Sequence, residues 1–263
     1  MDGLQTWVIN LDRAPDRLAR IAGQLQALQL PYTRLPAVDA QALTPEQRAA
    51  LDEPAYRRKH GMTPVMGELG CYLSHVQVMR LFLASEANFA LVLEDDVLLH
   101  DSLPAVLRGL QAHPQRWDMV KLSAVHSGTP QRVLNLVPGQ EPQHHLAVML
   151  SRCTGSSAYL MNRHAAQAYL NGPAGQGDGL LPMQLPYDHV FDLGWRFGLK
   201  VRLVTPTPCV HDDQIATTIV APPGLSRKFK WTQRLPAHAY RLGIEVRRLA
   251  YGLTHTLREK FSG

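Results

Sequence analysis

The stretch Phe89-Ala90-Leu91-Val92-Leu93-Glu94-Asp95-Asp96 decides how this chain is read. Five consecutive apolar residues form a strand of the kind covered on both faces in an α/β sheet. The strand stops in three adjacent carboxylates, which repel one another and cost stability unless a cation sits among them. Ligands of open α/β sheets bind at this carboxyl edge. The triplet therefore reads either as a cation site or as an acidic turn solvated at the surface.

Working outward, Thr6–Leu11 is a buried strand, and Leu18, Ile21, Leu25 and Leu28 then recur at helical spacing. Tyr32–Val38 returns as a strand. Thr44-Pro45-Glu46-Gln47 supplies an N-cap, a first-turn proline and a capping-box partner for a short helix. Pro54–Pro64 has no period and reads as a surface loop; Gly67 to Glu86 reads as a helix. Trp117–Ser123, Leu146–Leu150 and Ser156–Met161 are further strands, and Asn162 caps a helix that Gly172 ends. Gly172–Gly179 reads as a loop, Tyr187–Phe197 as a helix and Leu199–Val204 as a strand. Strands alternating with helices indicate a three-layer α/β sheet.

Composition bounds the partners. With 263 residues, 45% hydrophobic and 19% charged, the chain buries a full core and is not a disordered one. The formal charge of +5 is unevenly placed: from Ser226 onward nine bases face two acids, a net +7, so the first 225 residues carry −2. An acidic body without a basic, aromatic-lined groove argues against nucleic acid. The chain divides into a body, 1–222, and a basic tail, 223–263. From Leu242 the tail places Val246, Leu249, Leu253 and Leu257 in one stripe. It is expected either to lie on an anionic membrane surface or to pack its stripe on the body with the bases outside. No leader or transmembrane run is evident, and the scattered Cys71, Cys153 and Cys209 read as buried thiols in a reducing cytosol.

Two other clusters carry chemistry. His211-Asp212-Asp213 follows the last strand, and an imidazole joined to carboxylates suits Mn²⁺ or Mg²⁺ with open positions for phosphate. Tyr187-Asp188-His189…Asp192 puts two acids on one helix face, where Asp188 is either functional or a favourable charge near a helix start.

Five blocks then occur in order: Val8-Ile9-Asn10-Leu11-Asp12-Arg13…Asp16-Arg17, Gly67-Glu68-Leu69-Gly70-Cys71-Tyr72-Leu73-Ser74-His75, Leu91–Val97, Gly155–Met161 and Pro186-Tyr187-Asp188-His189. Together they resemble glycosyltransferase family 25, which contains lipopolysaccharide and lipooligosaccharide galactosyltransferases and is related to collagen galactosyltransferases. The resemblance covers about residues 5–220 and implies a GT-A type, Rossmann-like α/β/α fold, a nucleotide-sugar donor (usually UDP-galactose), a divalent cation, Mn²⁺ ahead of Mg²⁺, and inversion at the anomeric carbon.

By position, the resemblance implies that Asp96 is the direct metal ligand and that Glu94 or Asp95 holds ribose or a metal-bound water. Asn10, Leu11, Asp12 and Arg17 sit where such folds receive the nucleotide, and Arg17 reads equally as a structural ion-pair partner. A late histidine often completes GT-A metal sites, which assigns His211. Asp188 is the expected base for the acceptor hydroxyl, with Asp192 or Asp213 next. Glu68, Ser74 and His75 contact donor or acceptor, or hold the fold. The expected acceptor is a glycan or lipid-linked glycan, at the inner face of the cytoplasmic membrane. A metal-dependent phosphoesterase and a non-catalytic membrane- or anionic-ligand-binding protein are the competing classes.

Overall fold

A computed structural model of the chain describes residues 2–172, 179–212, 214–215, 227, 229 and 231–261. Its chain order opens with β1 (Leu4–Asn10), α1 (Pro15–Ala27), β2 (Thr33–Pro36), α2 (Pro45–Ala49), α3 (Glu53–His60), α4 (Met66–Ala84), β3 (Phe89–Glu94), β4 (Val97–Leu99) and α5 (Leu103–Gln111). It continues with β5 (Met119–Lys121), β6 (Pro130–Asn135), β7 (His145–Met149), β8 (Ala158–Asn162), α6 (Arg163–Asn171), α7 (Tyr187–Phe191), β9 (Val201–Thr205), β10 (Cys209–His211) and α8 (Leu235–Phe261).

Among the described residues, eight strands form one mixed sheet in the order β2-β1-β3-β8-β5-β9-β7-β6. β1 pairs in parallel with β2 and β3, and β5 with β9, while β8 runs antiparallel between β3 and β5. The ends of β1, β3 and β5 and the start of β8 therefore share one edge. The side chains of β3 alternate between two cores: Ala90 and Val92 join Phe82, Met79 and Tyr159 on the α4 and α6 side, whereas Leu91 and Leu93 join Ile21, Leu25, Val106 and Leu110 on the α1 and α5 side. Burial on both faces is what an unbroken apolar strand requires. The expected three-layer α/β/α arrangement with a helical C-terminal tail is present.

Local signals set several boundaries. Thr44 and Gln47 form the reciprocal capping box, and Asn162 accepts from the Ala165 amide to start α6. The expected loop Pro54–Pro64 is instead largely helical. Asp52 caps the Ala55 amide, Pro54 occupies the first turn, and Gly61 closes α3 in the left-handed conformation at φ 73°. The helix expected over Tyr187–Phe197 breaks into α7 and a 3₁₀ turn, Gly194–Phe197. β6 and the β4–β10 pair were not legible in the pattern. The predicted loop at 172–179 falls mostly, and the boundary at 222/223 wholly, outside the described residues.

The tail helix α8 packs on the body against α3, β6 and β7. It does so with the face opposite to the one that packing of the stripe on the body would use. Arg248 and Glu259 are buried, whereas Leu242, Val246, Leu249, Leu253 and Leu257 are exposed. Buried ionic anchors outweigh stripe packing: Arg248 meets Asp192 at 2.7 Å, and Glu259 meets Arg202 at 3.0 Å and Arg116 at 2.8 Å. All three cysteines are free. Among the described residues, no helix is long and apolar enough to cross a membrane.

Candidate active site

The shared strand edge opens into a cleft of about 330 Å³. Leu11, Arg13 and Arg17 follow β1; Glu68, Cys71 and Ser74 face it from α4; Glu94, Asp95 and Asp96 end β3; Gly155–Ser157 precede β8; Asp188 opens α7; and His211 ends β10. Of the residues singled out from sequence, Leu11, Arg17, Glu68, Ser74, Glu94, Asp95, Asp96, Asp188 and His211 line this one cleft. Asn10 and His75 are buried behind its wall. Asp12 lies outside it, exposed and paired with Arg34.

The three carboxylates of the triplet have different surroundings. Oε1 of Glu94 accepts from Nε2 of His75 at 3.0 Å and from the Tyr187 hydroxyl, and the Cys71 thiol approaches at 3.6 Å. Burial opposes ionisation of Glu94, but these hydrogen bonds, with His75 the largest, hold it below the ordinary carboxylate range. Nε2 of His75 faces the Glu94 carboxylate and donates to it, while Nδ1 lies 2.8 Å from the Tyr159 hydroxyl. The His75 ring stacks on Tyr187 at 4.0 Å between centroids. Cys71, His75 and Glu94 offer three ligand atoms within 4.8 Å of one another. In the described structure these groups meet through the Glu94 carboxylate, and burial first, and then Glu94, push the Cys71 thiol well above its usual range.

Asp95 accepts from Asn10 Nδ2 at 2.7 Å and from Arg17 at 3.2 Å. Asn10 also donates to the Ala14 carbonyl and accepts from Arg34. Its amide is fully used, so Asn10 positions Asp95 and the turn into α1.

Asp96 is the acid left without compensation. Its Oδ1 is buried with no hydrogen-bond partner, and its Oδ2 lies 3.7 Å from Nδ1 of His211. Burial and then the charge of Glu94 raise its pKa to about 6. An orphaned carboxylate oxygen beside an imidazole nitrogen is a donor set that fits a divalent cation with open positions. Strand pairing makes the pair, because β10 runs antiparallel to β4 with His211 opposite Val97. The neighbouring Asp212 is used differently, in a 2.5 Å ion pair with Arg20, and Asp213 lies outside the described residues.

Asp188 sits in the first turn of α7, and its Oδ2 accepts from the Gly155 amide at 2.9 Å. Gly155 has φ +85°, and a Cβ there would stand 2.6 Å from the Val125 amide, so only glycine brings this N–H to the carboxylate. Burial opposes ionisation of Asp188, but His189, Lys121 and the Gly155 and His189 amides outweigh it and keep its pKa below the usual value. Lys121 is a residue the sequence reading missed. It is fully buried, and its ammonium donates to the Cys153 carbonyl at 2.6 Å and reaches the Asp188 carbonyl at 3.4 Å. A lysine within an otherwise apolar β5 was the available signal.

Glu68 and Ser74 are fully engaged inside the protein. Glu68 accepts from Tyr56 at 2.8 Å, from the Val65 amide at 3.2 Å and from Arg227 at 2.6 Å. Ser74 accepts from the Val38 amide and donates to the Gly70 carbonyl. Asp192, the alternative base, is buried against Arg248 and the Cys153 amide away from the cleft wall.

Comparison with known proteins bears on this geometry. The chain is 36% identical over 97 residues to the human Procollagen galactosyltransferase 2, covering 35% of this chain and 16% of that protein. It is 31% identical over 124 residues to Procollagen galactosyltransferase 1 of Danio rerio, covering 44% and 20%. It is 29% identical over 126 residues to the human Inactive glycosyltransferase 25 family member 3, covering 45% and 21%. The chain thus spans less than a quarter of the length of these relatives. Among solved structures, a glycosyltransferase involved in the glycosylation of the major capsid of PBCV-1 aligns over 81% of this chain and 94% of its own, at 10% identity and a TM-score of 0.40. The sequence profile of Glycosyltransferase family 25 (LPS biosynthesis protein) matches residues 4–174, and the chain belongs to that glycosyltransferase family.

Proposed function

We propose that this chain transfers a hexose, galactose from UDP-galactose, onto a glycan acceptor such as a lipopolysaccharide or lipooligosaccharide core, with inversion at the anomeric carbon. The observation that carries the reading is the division of labour among cleft acids. Asp96 is orphaned beside His211, whereas Asp188 is held ionised elsewhere in the same cleft.

Asp96 and His211 are the residues that would hold a divalent cation, Mn²⁺ ahead of Mg²⁺ because one ligand is nitrogen. When bound, such a cation neutralises charge on the departing diphosphate as a Lewis acid. Arg13 and Arg17 line the cleft beside the β1 turn and add fixed positive charge for the diphosphate. Leu11 supplies an apolar wall there. Asp95, clamped by Asn10 and Arg17, and Glu94, clamped by His75 and Tyr187, present oxygens in fixed directions for ribose or bound water.

On the acceptor side, Asp188 takes the proton from the attacking hydroxyl. The Gly155 amide fixes one of its oxygens, and buried Lys121 secures the backbone beneath it. An inverting displacement needs no second carboxylate as nucleophile. We place the reaction in the cytoplasm, at the inner face of the membrane where a lipid-linked acceptor is presented.

Relatives named inactive or probably inactive occur beside the galactosyltransferases, so turnover itself is what must be measured. The test is nucleotide release from a panel of UDP- and GDP-sugars, with and without Mn²⁺, in the presence of a core-glycan acceptor. UDP-galactose with Mn²⁺ should turn over fastest. Phosphoester hydrolysis without sugar-nucleotide turnover would overturn the reading.

A further inference from the structure

Helix α8 is an amphipathic helix turned inside out. Its ionic side faces the body, where Arg248 pairs with Asp192 and Glu259 sits between Arg202 and Arg116. Gly252 brings the helix backbone against Met149 and Leu150. Its apolar side faces away: Leu235, Leu242, Val246, Leu249, Leu253 and Leu257 are each 45–69% exposed. At helical geometry these six side chains fall within an arc of about 80° and run for about 33 Å. A continuous apolar stripe of that length marks an interaction surface.

The charge around the stripe selects the partner. The tail carries a net +7. Both of its acids are taken by arginines, Glu259 as above and Glu245 by Arg248 at 3.4 Å. Arg247 and Arg258 are exposed on one flank of the helix, between the stripe and the side that faces the body, and Trp231, 72% exposed, stands just ahead of the helix. Pairing two copies through this stripe would bring two strongly positive tails together, whereas an anionic surface compensates them.

We infer that α8 lies in the interfacial plane of an anionic bilayer. The leucine stripe enters the acyl boundary, Arg247 and Arg258 reach the lipid phosphates, and Trp231 sits at headgroup level. Arg227, upstream of α8, is ion-paired at 2.6 Å with Glu68 in the cleft wall, which ties the start of the tail to the same body that α8 packs on. The inference does not depend on which sugar is transferred, because it is read without substrate.

The test is co-flotation of the full chain with vesicles of phosphatidylglycerol and phosphatidylcholine, against vesicles of phosphatidylcholine alone. The wild-type chain should partition onto the anionic vesicles at least tenfold more strongly. A Leu242→Asp, Leu249→Asp, Leu253→Asp variant, shown folded by circular dichroism, should lose at least tenfold of that partition, and Arg247→Glu with Arg258→Glu should lose most of it. Absence of partition by the wild type, or equal partition by the leucine variant, overturns the inference. Concentration-dependent dimerisation abolished by the leucine variant, without vesicle binding, assigns the stripe to a second copy and overturns it equally.

Discussion

Oδ2 of Asp96 and Nδ1 of His211 stand 3.7 Å apart, joined by the antiparallel pairing of β10 with β4 rather than by nearness in sequence. The Asp212 amide donates to the Asp96 carbonyl at 2.9 Å and closes that pairing. The backbone thus brings an acid and an imidazole to one side of the cleft.

Asp188→Asn removes the proposed base while keeping its shape. Turnover should fall by about 10²- to 10⁴-fold, while UDP binding measured by calorimetry stays near wild type. A fully active variant would move the base to another residue of the cleft.

Tyr187→Phe deletes a hydroxyl that donates to half-buried Glu94. A hydrogen bond to a charged group is worth about 1.5–3 kcal/mol, and urea unfolding should show a loss of that size. His75→Ala should cost more, because it removes both the donor to Glu94 and the ring stacked on Tyr187.

Arg248→Ala leaves Asp192 buried and unpaired at the end of α7. Breaking one side of such a pair costs about 3–5 kcal/mol. The thermal midpoint should drop sharply, whereas Leu249→Asp on the exposed face of the same helix should leave it nearly unchanged.

His60 gives a pH signature at the seam of α3 and α8. Burial first, and then the charges of His189 and Arg241, lower its pKa to about 3. The unfolded chain, with a pKa near 6.5, takes up a proton that the folded state refuses, so stability is full above that value and declines as pH falls from 6.5 toward 3. At pH 5 the loss from this group is about 2 kcal/mol. Denaturant titrations at pH 7 and pH 5 should show a drop that shrinks by about that amount in His60→Phe.

Much of the frame was legible because its signals are local. The apolar run of β3, the capping box at Thr44 and Gln47, and the Asn162 cap each act within a few residues. The acidic triplet of the cleft was legible because it ends a strand, and strand ends share an edge once the sheet forms. The β4–β10 pairing was not, since it joins two three-residue segments that lie far apart in the sequence. Lys121 was hidden because a charge within an apolar strand has meaning only once its carbonyl partners are known. Helical periodicity in α8 established two faces but not which one meets water; the partners Asp192, Arg202 and Arg116 decide that, and they lie on other elements. Pro54–Pro64 misled because a strongly charged, short helix has no apolar period to read.

The central claim is that Asp96 anchors a cation-dependent nucleotide site. Calorimetric titration of UDP into the protein, with Mn²⁺ or with EDTA, tests it on the wild type and on Asp96→Ala. The account predicts binding by the wild type that requires Mn²⁺, and no such binding by a folded Asp96→Ala. Undiminished Mn²⁺-dependent binding in that variant would contradict it.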